Sequence, residues 1–220
     1  MKALVACERS GRVRSALRDV GVEAWSCDLV AADDGSEHHI VGDAREALHA
    51  DDWGLLVSHP PCTYLCNLAQ ACLDGRCAHK PPHKSPHGAL RRQLALDAAM
   101  FFRAFLDAEH IPLRAVENPQ PHPMARTLMG DHQGVSQPWH HGDPYQKRTL
   151  WWLRGLQPLT PTEVVEPTAY LVGGASRRSR ERPGMRRLTD GSNRAEASRL
   201  RSATPPGTAR AIADQWGAMS

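Results

Sequence analysis

The sequence predicts an α/β fold: a Rossmann-like, mostly parallel sheet with helices on both faces. Short apolar runs alternate with helical stretches along most of the chain, which is the pattern of β-α-β units. Polar residues follow several of these runs directly, as they do where parallel strands end at a ligand-binding edge. The chain has 220 residues, 41% hydrophobic and 23% charged, which is enough for one such domain.

The apolar runs are the predicted strands, and their bounds are Lys2–Cys7, Glu23–Cys27, His38–Val41, Gly54–Ser58, Arg114–Glu117 and Thr149–Leu153. The first helix begins after Gly11 and ends at Gly21, because a glycine readily ends a helix. Apolar residues at helical spacing predict a long helix over Ala89–Ala108 and a closing helix over Gly207–Trp216.

A single domain is expected over residues 1–220, with two segments of unusual composition. Residues 63–88, rich in Gly, Pro and His toward their end, are predicted to form a flexible lid loop. Residues 173–203 hold nine arginines and three acidic residues. This basic arm indicates a polyanionic partner such as nucleic acid, because arginine pairs with phosphate in a bidentate manner.

Charge and hydropathy argue against a membrane or secreted protein. No run approaches the roughly 18 apolar residues that cross a bilayer, and Glu8 and Arg9 interrupt the apolar N-terminus early. We therefore expect a cytoplasmic protein, with no membrane partner and with reduced cysteines.

Five polar residues fall at or directly after the ends of predicted strands: Glu8, Asp28, Asp43, Cys62 and Glu117. In a parallel sheet the carboxyl ends of the strands share one edge, where ligands bind. This placement predicts a functional site at that edge.

The first turn, which includes Glu8, Ser10, Gly11 and Val13, lets a ligand approach the backbone at a helix N-terminus. It has only one glycine, so it is not a dinucleotide-binding loop. The carboxylate of Glu8 argues against a phosphate and suits a ligand with an ammonium or sulfonium group. An ordinary turn is the alternative.

Two acidic residues follow the next strands. Asp28 is placed to accept hydrogen bonds from ribose hydroxyls, and Asp43 to accept one from an adenine amino group. Together with the first turn they outline an adenosine-type ligand without a pyrophosphate. Each could instead be a helix cap.

Cys62 and Glu117 are the candidates for chemistry. Pro60 and Pro61 stiffen the turn that leads to Cys62 and lift the thiol out of the strand. A nucleophilic cysteine would need a lowered pKa, which a nearby positive group could supply. Glu117 ends a buried strand, where a carboxylate is costly unless it is paired or used. An inert core cysteine and a structural hydrogen bond are the alternatives.

A metal site is not expected. The spacing of Cys72, Cys77, His79, His83 and His87 matches no compact zinc module.

The order of these motifs resembles the cytosine-5 DNA methyltransferase family, especially its short phage-type members. Pro61-Cys62 resembles the Pro-Cys nucleophile and Glu117-Asn118 the Glu-Asn pair of that family. Gln146-Lys147-Arg148 resembles its Gln-Arg-Arg region, and Pro206 to Trp216 its final helix. The similarity runs from Lys2 to Gly217.

This resemblance implies a class I S-adenosylmethionine-dependent methyltransferase fold and a DNA-modifying transferase, as found in phages and in restriction-modification. The cofactor would be S-adenosyl-L-methionine, and the partner would be DNA with a flipped cytosine. A monomer in the cytoplasm of a bacterial or phage-infected cell is favoured. The implied catalytic residues are Cys62, Glu117 and Arg148; the cofactor-binding residues are Glu8, Ser10, Gly11, Val13, Asp28, Leu29, Asp43 and Pro60; the substrate-binding residues are Asn118, Gln146 and Lys147.

The sequence also departs from the family. Leu150 stands where the family has a second arginine that contacts the base, and the stretch from Arg148 to Pro205 is too short for a full target-recognition domain. The alternatives are therefore a methyltransferase acting on an exocyclic amine of adenine or cytosine, an inactive DNA-binding protein, or an enzyme acting on a free nucleotide or RNA.

Overall fold

A computed structural model describes residues 1–76, 86–171 and 184–219. Its main sheet has seven strands in the order β3-β2-β1-β4-β5-β8-β6. These strands are β1 (Lys2–Ala6), β2 (Glu23–Asp28), β3 (His39–Val41), β4 (Leu55–Ser58), β5 (Leu113–Asn118), β6 (Gly134–Ser136) and β8 (Thr149–Arg154). A small second sheet has the order β10-β9-β7 and consists of β7 (Tyr145–Gln146), β9 (Ala169–Tyr170) and β10 (Arg186–Arg187).

Seven α-helices are described, several of them short: α1 (Arg12–Asp19), α2 (Ala44–Ala47), α3 (Gln70–Leu73), α4 (Gly88–Leu106), α5 (Pro123–Met129), α6 (Arg194–Ser202) and α7 (Pro206–Ile212). Two 3-10 turns, at Asn67–Ala69 and Pro138–His140, and a π-helical turn at Ala213–Gly217 complete the helical structure of these residues.

Strand direction confirms the mostly parallel sheet. β1 pairs in parallel with β2 and β4, and β4 pairs in parallel with β5. Only β8 runs against its neighbours β5 and β6 in the main sheet as described. The chain moves outward in one direction from β1 to β3 and in the other direction from β4, so the switch point lies between β1 and β4, the position where open α/β sheets bind ligands.

The core lies in two layers because successive strand residues point to opposite faces. On one face Leu4, Leu56 and Val116 pack against Phe102 and Phe105 of α4. The other face carries Val5, Val57 and Trp151 under α1 and α7, and Trp216 meets Trp151 edge to face with ring centroids 5.2 Å apart. Helices therefore cover both faces, as the sequence predicts.

Both segments of unusual composition contain regular structure. Residues 67–73 form a 3-10 turn and α3, and Leu65 is wholly buried, where sequence alone predicted a loop. In the predicted basic arm, Arg186–Arg187 form β10 and residues 194–202 form α6. Residues 77–85 of the lid and 172–183, which include the start of the arm, lie outside the described residues.

At the start of α7 the backbone lies very close to the backbone of another segment. The N–H of Gly207 donates to Asp143 Oδ2 at 2.8 Å, and a Cβ at position 207 would overlap the carbonyl oxygen of His141. Because that oxygen belongs to the backbone, the two segments must separate if a side chain is added.

We expect Gly207→Ala to cost about 3 kcal/mol of the free energy of unfolding, which lowers the melting temperature by roughly 6–12 °C for a chain of this length. Circular dichroism during heating measures the effect. Gly42→Ala is the matched control, since no atom lies within 4 Å of a Cβ placed there. Equal melting temperatures for the two variants would contradict the described contact.

Candidate active site

A cavity of about 750 Å³ lies at the switch point of the sheet. Its sheet side consists of the turn after β1, Asp28 after β2, and His59 after β4. Its opposite side is α6 and the segment that follows it to Thr204. This volume is in the range of small-molecule sites, and the cavity lies where the sequence predicts one.

Glu8 occupies the N-terminus of α1. Its carboxylate accepts hydrogen bonds from the backbone N–H of Val13 at 2.7 Å and of Arg14 at 3.1 Å, and from the Ser10 hydroxyl at 3.4 Å. The side chain is almost fully buried. A carboxylate that satisfies these donors is favourable at the positive end of a helix, and it leaves no place there for a phosphate.

Of the predicted first-turn residues, Glu8 and Ser10 line the cavity, whereas Gly11 and the core residue Val13 support the turn. Cys7 precedes them with a positive φ of 58°, which turns the chain from β1 toward α1. Cys7 also lines the cavity, but burial, with a smaller effect of the Asp28 charge, raises the pKa of its thiol far above the ordinary value. Cys7 is thus held neutral.

Asp28 and Asp43, the acidic residues predicted to contact ribose and adenine, differ in position. Asp28 lines the cavity, and its Oδ1 accepts from the N–H of Val30 at 3.3 Å. Asp43 caps α2 by accepting from the N–H of Arg45 at 2.9 Å, and hydrogen bonds from the Arg45 side chain hold the pKa of Asp43 below its usual value. Asp43 is not among the cavity-lining residues, and the Leu29 side chain is 76% exposed.

The turn that carries Cys62 is anchored by the loop that follows Glu117. Pro60 is buried, and the N–H groups of Leu65 and Cys66 both donate to the Cys62 carbonyl, at 3.0 and 3.1 Å. The N–H of His122 donates to the Leu65 carbonyl at 3.0 Å. Because His122 Nδ1 accepts from the Ala125 N–H, its Nε2 carries a proton and donates to the Tyr64 carbonyl at 2.9 Å.

Helix α4 holds the same turn from the other side. Arg91 Nη2 donates to the Thr63 carbonyl at 3.0 Å, and the guanidinium lies 4.6 Å from the centre of the Tyr64 ring. A cation over an aromatic face is attractive. The turn with Cys62 is thus fixed between α4 and the loop after β5. The negative charge of Glu117 acts on the Cys62 thiol and raises its pKa.

The proton of the thiol pair lies on Cys62. The hydrogen bond to Cys66, burial and the charge of Glu117 raise the pKa of Cys62 far above its ordinary value. The hydrogen bond from Cys62, together with the backbone N–H groups of Leu68 and Ala69, lowers the pKa of Cys66 to about 6. A nucleophilic Cys62 would need a lowered pKa; in the structure the lowered pKa belongs instead to its neighbour Cys66, which lies at the start of a helical turn.

Glu117 lies in a small pocket beside the large cavity. His59 Nδ1 is 3.8 Å from its Oε1, and Lys147 and Trp151 line the same pocket. The pocket has a volume of about 10 Å³, room for one water molecule and far too little for a pyrimidine ring. His59, Ser202 and Thr204 line both this pocket and the large cavity, so they form a shared wall.

The three side chains of the Gln146-Lys147-Arg148 segment lie in different environments. Lys147 points inward, and its Nζ donates to the Ala203 carbonyl at 2.9 Å. Arg148 is exposed and donates from Nη1 to Gln120 Oε1 at 2.9 Å. Gln146 is buried and accepts a backbone hydrogen bond from Leu171. The inward-facing cation of this segment is therefore Lys147.

Asn118 and Leu150 lie opposite each other on β5 and β8, and both are wholly buried. Asn118 Nδ2 donates to the Pro119 carbonyl at 2.6 Å, and its Oδ1 has no hydrogen-bond partner within the described residues. Leu150 packs in the core and points away from solvent. Leu150 is thus a structural residue of β8.

Sequence reasoning missed His59, Cys66 and the contribution of α6. The signal for α6 was present: Asn193 caps the helix by accepting from the N–H of Glu196 at 3.0 Å, and an Asn followed three residues later by Glu is a helix-start signature. Because the segment is rich in arginine, it was interpreted as a basic arm and not as a helix.

No cluster of three or more possible metal ligands occurs within residues 1–76, 86–171 and 184–219. The candidate ligands Cys77, His79 and His83 fall outside these ranges. Cys72 is disulfide-bonded, where sequence alone predicted reduced cysteines.

No protein-family model matches the chain, and a search of curated proteins finds no significant match. In the parts of the chain that the structure covers, every helix is too short or too polar to cross a membrane.

Proposed function

We propose that the protein is an S-adenosylmethionine-dependent methyltransferase that modifies carbon 5 of cytosine in DNA, with Cys62 as the nucleophile. The main support is that Cys62, in the turn after β4, lies near enough to Glu117 on β5 for the Glu117 charge to act on its thiol, beside a cavity at the switch point of a parallel sheet. For this thiol and carboxyl group to engage two edges of one ring, the pocket beside Glu117, with a volume of about 10 Å³, would have to open when the base binds.

The cavity fits the proposed cofactor in size and in chemistry. Its volume of about 750 Å³ suits a nucleoside with an amino-acid tail. Asp28 offers a carboxylate to ribose hydroxyls there, and Glu8 fills the helix N-terminus that a dinucleotide would need for its pyrophosphate. When bound, the cofactor would supply an electrophilic methyl group.

The residues of this chain would perform the remaining steps. Loss of its proton to the neighbouring Cys66 thiolate would make Cys62 a nucleophile, and its sulfur would then add to carbon 6 of the ring. Glu117, after taking up a proton from water, would donate it to the ring nitrogen N3 as negative charge develops there. Release of Cys62 follows once a water molecule has taken the proton from carbon 5, and N3 then returns its proton to Glu117.

DNA would be held mainly through its phosphates. Four arginines in the second half of the arm have exposed side chains: Arg186, Arg187, Arg199 and Arg201. Contacts of this kind give affinity without sequence preference. We therefore propose loose sequence recognition and binding that weakens steeply with salt.

The test is methyl transfer itself. The full chain is incubated with plasmid DNA and S-adenosylmethionine that carries an isotopically labelled methyl group, and the DNA is digested to nucleosides for mass spectrometry. Labelled 5-methyldeoxycytidine is the expected product. The absence of any labelled nucleoside would overturn the proposal.

One observation favours a second candidate, a methyltransferase that acts on an exocyclic amine. The raised pKa of Cys62 keeps its thiol protonated in this state, and amine methylation needs no thiolate. Labelled N6-methyldeoxyadenosine or N4-methyldeoxycytidine in the same experiment would identify this activity.

The role of Asp28 gives a prediction for cofactor binding. We expect Asp28→Ala to weaken the binding of S-adenosylmethionine by about tenfold or more, since a hydrogen bond to a charged group contributes about 1.5–3 kcal/mol. Isothermal titration calorimetry measures the change.

Asp131→Ala is the matched control, because Asp131 is exposed and paired with Arg126, away from the cavity. Equal affinities of the two variants would contradict the role of Asp28. Asp43→Ala, measured in parallel, tests the predicted adenine contact: weaker binding of the cofactor would support that contact, and an unchanged affinity would agree with the position of Asp43 outside the cavity lining.

A further inference from the structure

Cys62 and Cys66 form a pair of thiols in one turn of the chain. The N–H of Cys66 donates to the Cys62 carbonyl at 3.1 Å, and residues four apart in such a turn have neighbouring side chains. The Cys62 thiol donates a hydrogen bond to the Cys66 sulfur, and both cysteines are free and partly exposed. For a disulfide to form, the two sulfur atoms have only to move from hydrogen-bond distance to a bond length of about 2 Å.

The backbone around the pair is anchored independently of the sulfur atoms. Cys66 pairs with Pro121 in an isolated β-bridge, and the N–H of Asn67 donates to the Gln120 carbonyl at 2.8 Å. Helix α4 holds the opposite side of the turn through a hydrogen bond from Arg91. The two thiols are therefore kept next to each other by the loop after β5 and by α4.

The two thiols differ in acidity. Hydrogen bonds from the Cys62 thiol and from backbone N–H groups lower the pKa of Cys66 to about 6, although burial opposes this shift. The hydrogen bond to Cys66, burial and the Glu117 charge raise the pKa of Cys62. At neutral pH one member of the pair is a thiolate, the form that reacts with peroxides, and the other is a thiol that still carries its proton.

We propose that Cys62 and Cys66 are an oxidation site, at which hydrogen peroxide converts the two thiols into a disulfide. The Cys66 sulfur attacks one oxygen of the peroxide, the O–O bond breaks, and Cys66 becomes a sulfenic acid while hydroxide leaves. The Cys62 sulfur then attacks the sulfenic sulfur, the S–O bond breaks, and the departing hydroxide takes the Cys62 proton and leaves as water. The two sulfurs together lose two electrons, which the peroxide gains. This inference does not require the proposed function.

A second pair of cysteines provides a comparison within the same chain. Cys7 follows β1 and Cys27 lies on the neighbouring strand β2, and each lies near enough for its charge to affect the other. Burial raises the pKa of both thiols, that of Cys27 to about 11, and Cys27 is wholly buried. Because neither sulfur is a thiolate at neutral pH, we expect this pair to stay reduced while Cys62 and Cys66 are oxidised.

The test is the reaction of the full chain with a small molar excess of hydrogen peroxide at neutral pH. Remaining thiols are then blocked with iodoacetamide in denaturant, and the protein is digested with chymotrypsin. This protease cuts after Tyr64 and Leu68, which separates Cys62, Cys66 and Cys72 into different peptides. Mass spectrometry should show the Cys62 and Cys66 peptides joined, and a reductant should separate them again.

The same digest gives the results that would overturn the proposal. The Cys62 and Cys66 peptides should join at least about tenfold faster than the Cys7 and Cys27 peptides, because the thiolate fraction controls the rate. Equal rates for the two pairs would contradict the proposal. So would Cys62 and Cys66 peptides that stay separate under peroxide. Both results come from the wild-type protein, so neither depends on the folding of a variant.

Two variants test the order of the steps. In Cys62→Ser the Cys66 sulfenic acid has no thiol partner, so dimedone, a reagent for sulfenic acids, should trap it. In Cys66→Ser the remaining Cys62 should react with peroxide at least about tenfold more slowly, because burial and the Glu117 charge still keep it protonated. Equal rates in the two variants would overturn the assignment of Cys66 as the sulfur that peroxide attacks.

A final measurement separates this inference from the proposed function. Under that function the disulfide would block methyl transfer, since the Cys62 sulfur could no longer add to carbon 6. Peroxide should then abolish the labelled product, and a dithiol reductant, itself oxidised as it opens the disulfide, should restore it. Methyl transfer that survives complete conversion to the disulfide would overturn Cys62 as the nucleophile and leave the oxidation site standing. An active enzyme that forms no disulfide would overturn the oxidation site alone.

Discussion

Replacing Cys62 with serine is expected to abolish methyl transfer, with a loss of at least about 1,000-fold in kcat. A hydroxyl in this position is far less acidic than a thiol, and Cys66 could not take its proton. The affinity for S-adenosylmethionine should stay within a few-fold, because Cys62 is not among the residues that line the large cavity. Single-turnover methylation and calorimetry measure the two quantities.

Stability provides the control for this variant. Serine is nearly isosteric with cysteine, so the melting temperature should change by no more than about 4 °C, the equivalent of about 1 kcal/mol. A Cys62→Ser protein that methylates DNA at a near-normal rate would disprove the covalent mechanism. Retained transfer to an amine nitrogen would support the second candidate function.

Replacing Glu117 with glutamine should lower kcat by about 100- to 10,000-fold, the usual contribution of a general acid. The amide keeps the shape of the side chain but cannot transfer a proton to N3. The His59 imidazole, whose Nδ1 lies 3.8 Å from Glu117 Oε1, would then face an amide in place of the carboxyl group. Single-turnover rates with saturating DNA and cofactor measure the loss.

Glu23→Gln is the matched control for Glu117→Gln. Glu23 is exposed at the opposite end of the sheet and pairs with Lys2 at 3.8 Å. It should retain the wild-type rate. If Glu117→Gln also retains that rate, the carboxyl group has no part in the chemistry.

The sequence predicts the sheet well where strands are short, apolar and buried on both faces. Observed β1, β2, β4 and β5 lie within a residue or two of their predicted bounds, because parallel strands buried on both faces appear as continuous apolar runs. The predicted long helix is observed at Gly88–Leu106. The direction of β8 could not be predicted, since an apolar run has the same composition in either direction.

The candidate site is predictable at the level of strand ends and less so at the level of side chains. Glu8, Asp28, Cys62 and Glu117 all lie at the carboxyl edge of the sheet, as expected. Of the adjacent cations Lys147 and Arg148, only Lys147 faces inward. This depends on the path of the short segment between β7 and β8, which a hydrophobic pattern in the sequence does not predict. The sequence also does not predict which of Cys62 and Cys66 carries the proton that they share. The helical turn after Cys66 determines this, because its backbone N–H groups lower the pKa of Cys66.

The large cavity and the Glu117 pocket, the two compartments of the candidate site, share a wall that is held by a few side chains. Arg12 holds the Thr204 carbonyl at 2.9 Å, Lys147 holds that of Ala203, and the Arg199 side chain lies 3.9 Å from Asp33. A displacement of this one strip of chain would open both compartments at once. Under the proposed function, departure of the spent methyl donor and release of the modified nucleotide would therefore be synchronous, and a stalled exit of either product would retain the other.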